Sequence, residues 1–457
     1  MKDNTSVSAE NAQYKRMMET PIPRLVTEMA IPTVIGMLIT VIYNTADTYF
    51  VSQINKSAAA AVGAVYAVMA IIQALGYGLS VGAGSLISIK LGAKESKAAD
   101  RYASSAFFAV FLVGVVIMIL GLSMLEPFLR LLGCTDTMMP YAIPYAKYIL
   151  IAAPLNCPTY ALNSTLRSAG FSSLSVFGIS TGGIVNIFLD WILVSKLGMG
   201  TGGAAIATML SQFVSFLILG AFFVFGKSIV HISLANISKN LSDYKLIITT
   251  GIPTIFRQGL GSLATAVLNI QAIKYGGDAA GAAMTISNKV YTLVRNISLG
   301  IGQGFQPVAG YNFGAGNRKR TWHSFTFAVK VGTVICVVFS AVCALFARQI
   351  MWWFCDDADV ARIGIETIYF SCIAMPVLAV STYVNQLYQG LGFKVQATFL
   401  ASCRQGIFFL PAVLLLPLWI GCRGVQSAQP VADICTFIAA IPFIIYFYRK
   451  HIKQNIT

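Results

Sequence analysis

The sequence contains little charge and little histidine. Asp, Glu, Lys and Arg together make up 11% of the 457 residues, and there are only three His. Soluble proteins carry about a quarter of their residues as charged side chains. Hydrophobic residues instead reach 56% and the mean hydropathy is +0.72. This balance excludes a soluble fold and predicts an integral membrane protein.

Negative charge is scarcer than positive charge. The sequence has 17 Asp and Glu against 32 Lys and Arg, which gives a net charge of +15. Most of the Lys and Arg fall in loops that are cytoplasmic when both termini are inside, which is the positive-inside bias of membrane proteins. We therefore assign this charge to topology and to contact with membrane lipids, and we expect no nucleic-acid partner.

Motifs of enzymatic chemistry are also missing. The sequence has no HExxH, GxxxxGK[ST] or CxxC motif. Its nine Cys are an odd number, and most lie in apolar stretches, where Cys behaves as a small hydrophobe. Cys134 and Cys355 fall in predicted outer loops, and we expect free thiols there too. These absences predict a protein that is not an enzyme and needs neither a cofactor nor a structural metal.

Long apolar runs recur along the whole chain. A run of about 20 residues crosses the hydrocarbon core of a bilayer as a helix. The predicted spans are 25–53, 59–89, 102–126, 141–162, 172–195, 202–226, 244–274, 279–305, 321–349, 362–388, 395–420 and 424–448. The polar N-terminal stretch has no apolar core with a cleavage site, so we expect no removable signal peptide. These patterns favour a cell-membrane protein with twelve transmembrane helices and both termini in the cytoplasm.

The two halves of the chain repeat one plan. A displacement of about 222 residues lays the second half over the first. The matching segments are Ile31-Pro32-Thr33 with Ile252-Pro253-Thr254, Pro154 with Pro376, Asn163 with Asn385, and Gly170-Phe171 with Gly392-Phe393. Each half has an even number of spans, so both halves start on the same side of the membrane and the repeat is parallel.

The repeat predicts an all-α fold of two parallel six-helix bundles. The predicted segments are a cytoplasmic N-terminal segment at 1–24, an N-lobe at 25–226, a cytoplasmic linker at 227–243, a C-lobe at 244–448 and a cytoplasmic tail at 449–457. Duplicated transporters commonly hold their site within or between the lobes. The alternative is a duplicated scaffold that serves packing only.

Proline and glycine interrupt corresponding helices of the two halves. Pro32 and Pro253 lie about a third of the way into the first span of each half, where a missing N–H and a ring clash weaken or bend a helix. The second span of each half ends in a glycine run. These runs are Gly76, Gly78, Gly82 and Gly84 in the first half, and Gly300, Gly302 and Gly304 in the second. Close helix packing and local bending explain the glycines equally well.

Two carboxylates stand out inside the predicted spans of the first half, where an ionised Asp at the centre of a helix costs at least ~2.5–3.5 kcal/mol. They are Asp47 in the first span and Asp190 in the fifth, and Asn186 lies one helical turn before Asp190. With Asn163 of the fourth span and Thr208 of the sixth, they are expected to form a small polar chamber. The alternative is that both Asp lie near the membrane surface and are solvated. A chamber of this kind binds either a proton or Na⁺, and the residues do not separate the two.

The second half has no carboxylate in the matching places. Arg257, Lys289, Arg295, Arg404 and Asp433 supply its charge instead. We expect Arg404 and Asp433 to form a structural ion pair or to contact a ligand. A lining of Met and aromatic side chains suits varied organic cations, although most such residues face lipid or neighbouring helices. The candidate lining residues are Met37, Met284, Tyr291 and Tyr383.

Three segments carry a family resemblance. They are the stretch Gln306-Pro307-Val308-Ala309-Gly310-Tyr311-Asn312-Phe313-Gly314-Ala315-Gly316, the first-span stretch 30–47, and the junction Leu166-Arg167-Ser168-Ala169-Gly170. On these segments the chain resembles the multidrug and toxic compound extrusion (MATE) transporters over nearly its whole length. The resemblance implies two six-helix bundles arranged as a V, and alternating access in which entry of H⁺ or Na⁺ drives drug export.

The resemblance also implies roles for particular residues. It assigns cation coupling to Asp47, Asp190, Asn186, Asn163, Thr208 and Tyr43, and it places Pro32 at the bend of the first helix. Family members with a second-lobe Na⁺ site use carboxylates that this chain lacks, so the first-lobe site is expected here.

Taken together, the residues and the resemblance predict a monomeric antiporter that exchanges H⁺ or Na⁺ for small organic cations. The alternative is a flippase for a lipid-linked headgroup or oligosaccharide, whose phosphates would meet the Arg side chains of the second lobe.

Overall fold

The computed structural model describes residues 2–453, with side chains from residue 8 onward except that of residue 56. Within this range the chain is helical and contains no β-strand. The helices are α1 Lys2–Glu19, α2 Ile22–Ser52, α3 Lys56–Gly92, α4 Ser96–Ser123, α5 Leu125–Leu131, α6 Met139–Ser168, α7 Ser172–Asp190, α8 Gly200–Val224, α9 Leu241–Gly314, α10 Arg318–Leu345, α11 Ala347–Phe354, α12 Ala358–Gly390, α13 Lys394–Ser402, α14 Phe409–Ile420 and α15 Cys422–His451. Part of the predicted tail, residues 454–457, lies outside the described residues.

Every predicted span corresponds to a helix. Nine helices among the described residues are long and apolar enough to cross a membrane. The other three predicted spans are α6 and the two parts of α9, which are long but richer in polar residues or proline. The two parts of α9 meet at Gly277, whose φ of 67° and ψ of −168° leave the helical region. This break falls between the predicted spans at 244–274 and 279–305.

The chain divides into two compact units. Unit 1 contains the chain up to Thr20 together with Ile35–Ile255, and unit 2 contains Pro21–Val34 together with the chain from Phe256 onward. Both α2 and α9 therefore contribute to both units. This division differs from the predicted lobes at 25–226 and 244–448, because the beginning of α2, up to Val34, belongs to unit 2 and the beginning of α9, up to Ile255, belongs to unit 1.

Glycine explains why the beginning of α9, up to Ile255, belongs to unit 1. A Cβ atom added to Gly82 of α3 would lie 2.5 Å from the Ile247 carbonyl oxygen and 2.6 Å from the Gly251 amide nitrogen. Real Cβ atoms do not approach backbone atoms so closely. The backbones of α3 and α9 therefore pack together only because Gly82 and Gly251 have no side chains. A Cβ atom added to Gly251 would in turn lie 2.6 Å from the carbonyl oxygen of Gly78, one turn earlier on α3.

Unit 2 repeats this arrangement. A Cβ atom added to Gly304 of α9 would collide with the backbone of Ala30 on α2 and would lie 2.8 Å from the Met29 carbonyl carbon. One added to Gly300 would lie 2.8 Å from the Val34 Cα. Close packing therefore accounts for these glycines, which decides between the two explanations that the sequence left open.

The N-terminal segment forms a helix that docks on unit 1, which the sequence did not predict. Gln13 Nε2 donates to the Ala169 carbonyl at 3.1 Å and Arg16 Nη1 donates to the Gly170 carbonyl at 3.4 Å. The Ser96 hydroxyl contacts the carboxylate of Glu10, and burial raises the pKa of that carboxyl. The helix thus covers the α6–α7 junction and the start of α4.

The predicted linker 227–243 is tied to α4. Arg101 Nε lies 3.1 Å from Asp243 Oδ2, and the Ser238 hydroxyl donates to the same oxygen at 2.6 Å. The Ser238 amide donates to Ser105 Oγ at 2.8 Å. These bonds hold the segment against unit 1 rather than leaving it as a loose connection.

Candidate functional site

Asp190 is the most deeply buried carboxylate of unit 1. It ends α7, and a π-helical turn, Trp191–Lys196, follows it directly. Its side chain has no solvent exposure. Turns of this kind are uncommon and occur often at functional sites, where they redirect the side chains of one helical turn. Asn186, one turn earlier on the same face of α7, is buried as well.

The oxygens around Asp190 lack partners. Neither carboxylate oxygen of Asp190 has a hydrogen-bond partner within residues 2–453, and the same is true of Asn186 Oδ1 and Asp47 Oδ1. Buried acceptors almost always have hydrogen-bond partners in folded proteins, and each buried acceptor without a partner costs about 1–3 kcal/mol. Four such oxygens in one small region of unit 1 indicate a candidate binding site for a proton or a cation.

Asp47 completes the group from α2. Its Oδ2 accepts a hydrogen bond from the Tyr145 hydroxyl at 3.2 Å. Asp190 and Asp47 lie close enough to interact electrostatically, and both carboxylates also lie close enough to act on Tyr145. Tyr145 is not among the site residues predicted from the sequence. A buried Tyr needs a partner for its hydroxyl, but nothing in the sequence of α6 shows that Tyr145 is buried.

Tyr43 and Thr208 border the same region. A Cβ atom added to Gly183 of α7 would lie 3.0 Å from the Tyr43 ring, so Tyr43 packs on α7 two turns before Asp190. Asn186 Nδ2 lies 3.4 Å from the Thr208 hydroxyl of α8. The structure thus brings together five of the predicted coupling residues, which are Tyr43, Asp47, Asn186, Asp190 and Thr208.

The side chains of this group are suited to binding a hard cation or a proton. No positively charged side chain is paired with Asp47 or Asp190 among the described ion pairs. A buried carboxylate without a counter-charge must be protonated or must bind a cation. The described residues contain no cluster of three or more His, Cys, Asp or Glu, and the donors near Asp190 are oxygens, whereas soft metals prefer thiolate or imidazole ligands. Two carboxylates with amide and hydroxyl oxygens suit H⁺ or Na⁺.

Asn163 lies elsewhere. Its Nδ2 donates to the Ser175 carbonyl at 3.1 Å and to the Ser175 hydroxyl at 2.7 Å, in the first turn of α7. Ser175 precedes Asp190 by about four helical turns, or roughly 20 Å at 1.5 Å per residue. Asn385, its counterpart in the repeat, donates in the same way to the Ala397 carbonyl at 2.7 Å. The geometry indicates a clamp between consecutive helices in both units, in place of the predicted position in the ion site.

We expect Asn163→Ala and Asn385→Ala to act alike. Each variant removes a buried donor from a backbone carbonyl, so each should lower the free energy of unfolding by about 1–3 kcal/mol. Neither should alter the response of transport to H⁺ or Na⁺ gradients. Thermal unfolding in detergent and efflux from proteoliposomes measure the two effects. A change in ion preference caused by Asn163→Ala alone would return Asn163 to the ion site.

The predicted substrate-lining residues divide into two groups. Met284 belongs to the core of unit 2 and Tyr383 has no exposed surface, packing against Gly332 and Phe305. Neither side chain lines an open cavity in this structure, because neighbouring residues cover both of them. Met37 is half-buried, and Tyr291 is buried beside Arg404 and Asp433.

The expected pair of Arg404 and Asp433 is confirmed. Arg404 Nε lies 2.7 Å from Asp433 Oδ1, and the Asp433 side chain is fully buried while that of Arg404 is 14% exposed. Arg404 lies in a second π-helical turn, Cys403–Phe408. Unit 2 therefore has its own polar centre, but it is built on arginine where unit 1 uses carboxylates.

The helix α2 runs without a break through Pro32. The hydroxyl of the next residue, Thr33, lies within hydrogen-bond distance of the carbonyl oxygens of Met29, Ala30 and Gly300, and the Gly300 oxygen is the nearest at 2.6 Å. A hydroxyl that bonds back to the preceding turn commonly bends a helix, as does the missing N–H of Pro32. The division of α2 between the two units, after Val34, falls less than one turn beyond this point.

Comparison with known proteins identifies relatives along the whole chain. The sequence model of the family described as MatE matches residues 32–192 and again 253–414. The two matches begin at Pro32 and Pro253, so each half of the chain carries one copy. Together they cover most of the chain, and their spacing agrees with the internal repeat.

Individual relatives cover nearly full lengths. The chain is 24% identical over 431 residues to the multidrug export protein MepA of Staphylococcus saprophyticus, covering 93% of this chain and 94% of that protein. It is 23% identical to the FAD transporter of Shewanella oneidensis, with the same coverage. Among solved structures, a multidrug resistance MATE transporter in an outward-facing conformation matches with a TM-score of 0.91 and 26% identity, over 97% of this chain and 98% of that one.

Proposed function

Because this chain belongs to the MatE family of efflux transporters, we propose that it is an antiporter that exchanges H⁺ or Na⁺ for organic, cationic compounds exported from the cytoplasm by alternating access. Membership of the family makes the chain a multi-pass membrane transporter with twelve transmembrane helices, and not an enzyme. The coupling ion, the alternating access and the charge of the cargo belong to the proposal.

The observation that carries the proposal is the group of unpartnered oxygens on Asp47, Asn186 and Asp190. Two neighbouring buried carboxylates without a counter-charge are costly, and a bound ion removes that cost. A ligand shifts a conformational equilibrium only as far as it binds one state better than the other. Ion binding at this group is therefore proposed to favour one conformation, and cargo binding the other.

The helix α2 gives this coupling a mechanical basis. Asp47 lies in the part of α2 that belongs to unit 1, and Thr33 lies in the part that belongs to unit 2. The two residues are separated by about 21 Å of continuous helix at 1.5 Å per residue. A change in the contacts of Asp47 on binding an ion is therefore proposed to move a helix that also packs in unit 2.

The setting of the protein is part of the proposal. We place it in the cell membrane with both termini in the cytoplasm, following the distribution of Lys and Arg. It is proposed to work as a monomer whose basic inner loops contact anionic lipids.

Efflux from proteoliposomes tests the proposal. The purified protein is reconstituted with a fluorescent organic cation inside the vesicles, and pH and Na⁺ gradients are imposed separately. We expect gradient-dependent efflux under at least one of the two, abolished by an ionophore that collapses that gradient. Protein-free vesicles serve as the control for leakage. Efflux that is equal with and without both gradients would reject ion coupling.

A second candidate function is the flipping of a lipid-linked headgroup. The arginine-based centre of unit 2 favours it, since phosphates need cationic partners in a membrane interior. The FAD transporter among the relatives carries a phosphorylated cargo by its name, which is compatible with such cationic partners. Competition between a lipid-linked sugar and the fluorescent cation for the purified protein separates the two functions, because only a flippase is expected to show it.

A further inference from the structure

The arginine centre of unit 2 is built on three helical segments. Tyr291 and Arg295 lie one turn apart on the second part of α9, Arg404 lies in the π-helical turn after α13, and Asp433 lies on α15. Asp433 is the one carboxylate of this centre and has no solvent exposure. Arg257, on the first part of α9, is close enough to influence Arg295 electrostatically.

The carboxylate of Asp433 is fully engaged. Its Oδ1 accepts from Arg404 Nε at 2.7 Å and from Gln429 Nε2 at 3.0 Å, and its Oδ2 accepts from the Tyr291 hydroxyl. Arg404 Nη2 also contacts the Tyr291 hydroxyl. These bonds fix both side chains in one geometry and neutralise the charge of Arg404 locally.

Arg295 has no such neutralisation. Its Nε is buried and has no hydrogen-bond partner in the part of the chain that the structure describes. The charged groups that act on it include two further cations, Arg404 and Arg257, while the nearby Asp433 already holds Arg404. Guanidinium groups remain charged in proteins, so this site cannot relieve its cost by losing a proton. The remaining way to balance it is an anion supplied from outside the chain.

We propose that Arg295, held beside the Arg404–Asp433–Tyr291 frame, is an oxyanion site that binds the carboxylate or phosphate group of a transported compound. This inference rests on the proposed export function and extends it: the cargo class includes zwitterionic and anionic organic molecules as well as cations. The planar guanidinium offers two parallel N–H donors, which match the two oxygens of a carboxylate or phosphate. Tyr291 and Arg404 fix the surroundings, so little ordering is needed when the oxyanion binds.

The same chemistry has two possible sources. A phosphate group reaches this site either as part of a soluble organic compound or as the headgroup of a phospholipid from the surrounding bilayer. Both contain the oxyanion that Arg295 requires, and the test below separates them.

Binding of phenyl phosphate to the purified protein in detergent tests the site without any transport step. We expect binding by the wild type, and phenyltrimethylammonium of similar size should not compete for it. Arg295→Gln should weaken binding at least about tenfold, since a charge-assisted pair is lost, whereas Arg295→Lys should retain part of it. Lys289→Gln, which removes an exposed charge from the same helix, should bind like the wild type. Thermal unfolding shows whether each variant is folded.

Native mass spectrometry of the same samples provides the second arm. A phospholipid adduct that is present in the wild type, displaced by phenyl phosphate and absent in Arg295→Gln would support the site and identify a lipid as its source. Phenyl phosphate binding without such an adduct would support it and identify a soluble cargo. Equal binding of phenyl phosphate by the wild type and folded Arg295→Gln, or no binding of phenyl phosphate by the wild type, would overturn it. If the wild type shows no gradient-driven efflux, the antiporter proposal is rejected. The binding results can still be interpreted, because they do not depend on transport.

Discussion

Asp190→Asn is expected to reduce gradient-driven efflux to the level of protein-free vesicles. Asn at this position neither takes up a proton nor supplies a charge for Na⁺, so the ion loses its preference for one conformation and cannot drive the cycle. Asp190 has no exposed surface, and both of its oxygens lack partners among the described residues. Asp47→Asn should lower efflux as well, but less completely, because the Tyr145 hydroxyl already stabilises one of its oxygens.

The same variant should be no less stable than the wild type. A neutral amide costs less to bury than an unpaired carboxylate, so we expect the unfolding temperature of Asp190→Asn in ion-free detergent to stay the same or rise. Efflux and unfolding are measured on one preparation, which separates a loss of coupling from a loss of fold. Asp278→Asn removes an exposed carboxylate and is the matched control. Full efflux by Asp190→Asn under both gradients would exclude this group as the coupling site.

Gly82→Val and Gly304→Val are expected to prevent the formation of folded protein. Each new side chain would overlap backbone atoms of a neighbouring helix, around Gly251 in one case and Ala30 in the other. Overpacking of a core costs about 1–3 kcal/mol when side chains can move. Backbone atoms of a helix cannot move aside singly, so we expect a larger loss here.

Size-exclusion chromatography of detergent extracts measures this effect as the yield of monodisperse protein. Gly259→Val is the matched control, because Gly259 is an exposed residue of α9 with open space around its Cβ position. We expect wild-type yield from this control and almost none from the other two. Normal yield of Gly82→Val and Gly304→Val would mean that the first parts of α2 and α9 do not pack at these glycines.

The symmetry of the two glycine contacts shows why the sequence predicted the helices better than the units. The repeat aligns Gly82 with Gly304 and places Pro32 opposite Pro253, and all four are visible in the sequence. Which helix each glycine meets is a long-range contact, and periodicity carries no information about it. The predicted lobe boundaries therefore followed chain order, whereas the contacts assign Pro21–Val34 to unit 2.

The candidate site was predicted in part for a similar reason. Asp47 and Asp190 stand out in an apolar sequence, because a carboxylate within a membrane span is energetically costly and is usually functional. Tyr145 does not stand out, since Tyr is common in membrane helices, and only its contact with Asp47 reveals it. Asn163 was assigned to the site both as a polar residue of the fourth span and on resemblance, but its amide holds the start of α7, far from Asp190.

Composition, apolar run length and internal repetition by themselves determined that this chain is a duplicated, all-helical membrane protein with carboxylates in its first half and arginines in its second. These properties are local or additive, so they can be counted along the chain. Only the tertiary structure decided which oxygens lack partners, which arginine is left without a carboxylate, and how α2 and α9 are shared between the units. Those properties depend on contacts between residues far apart in sequence, where a single close approach, such as that of Gly304 to Ala30, determines which side chains are buried together.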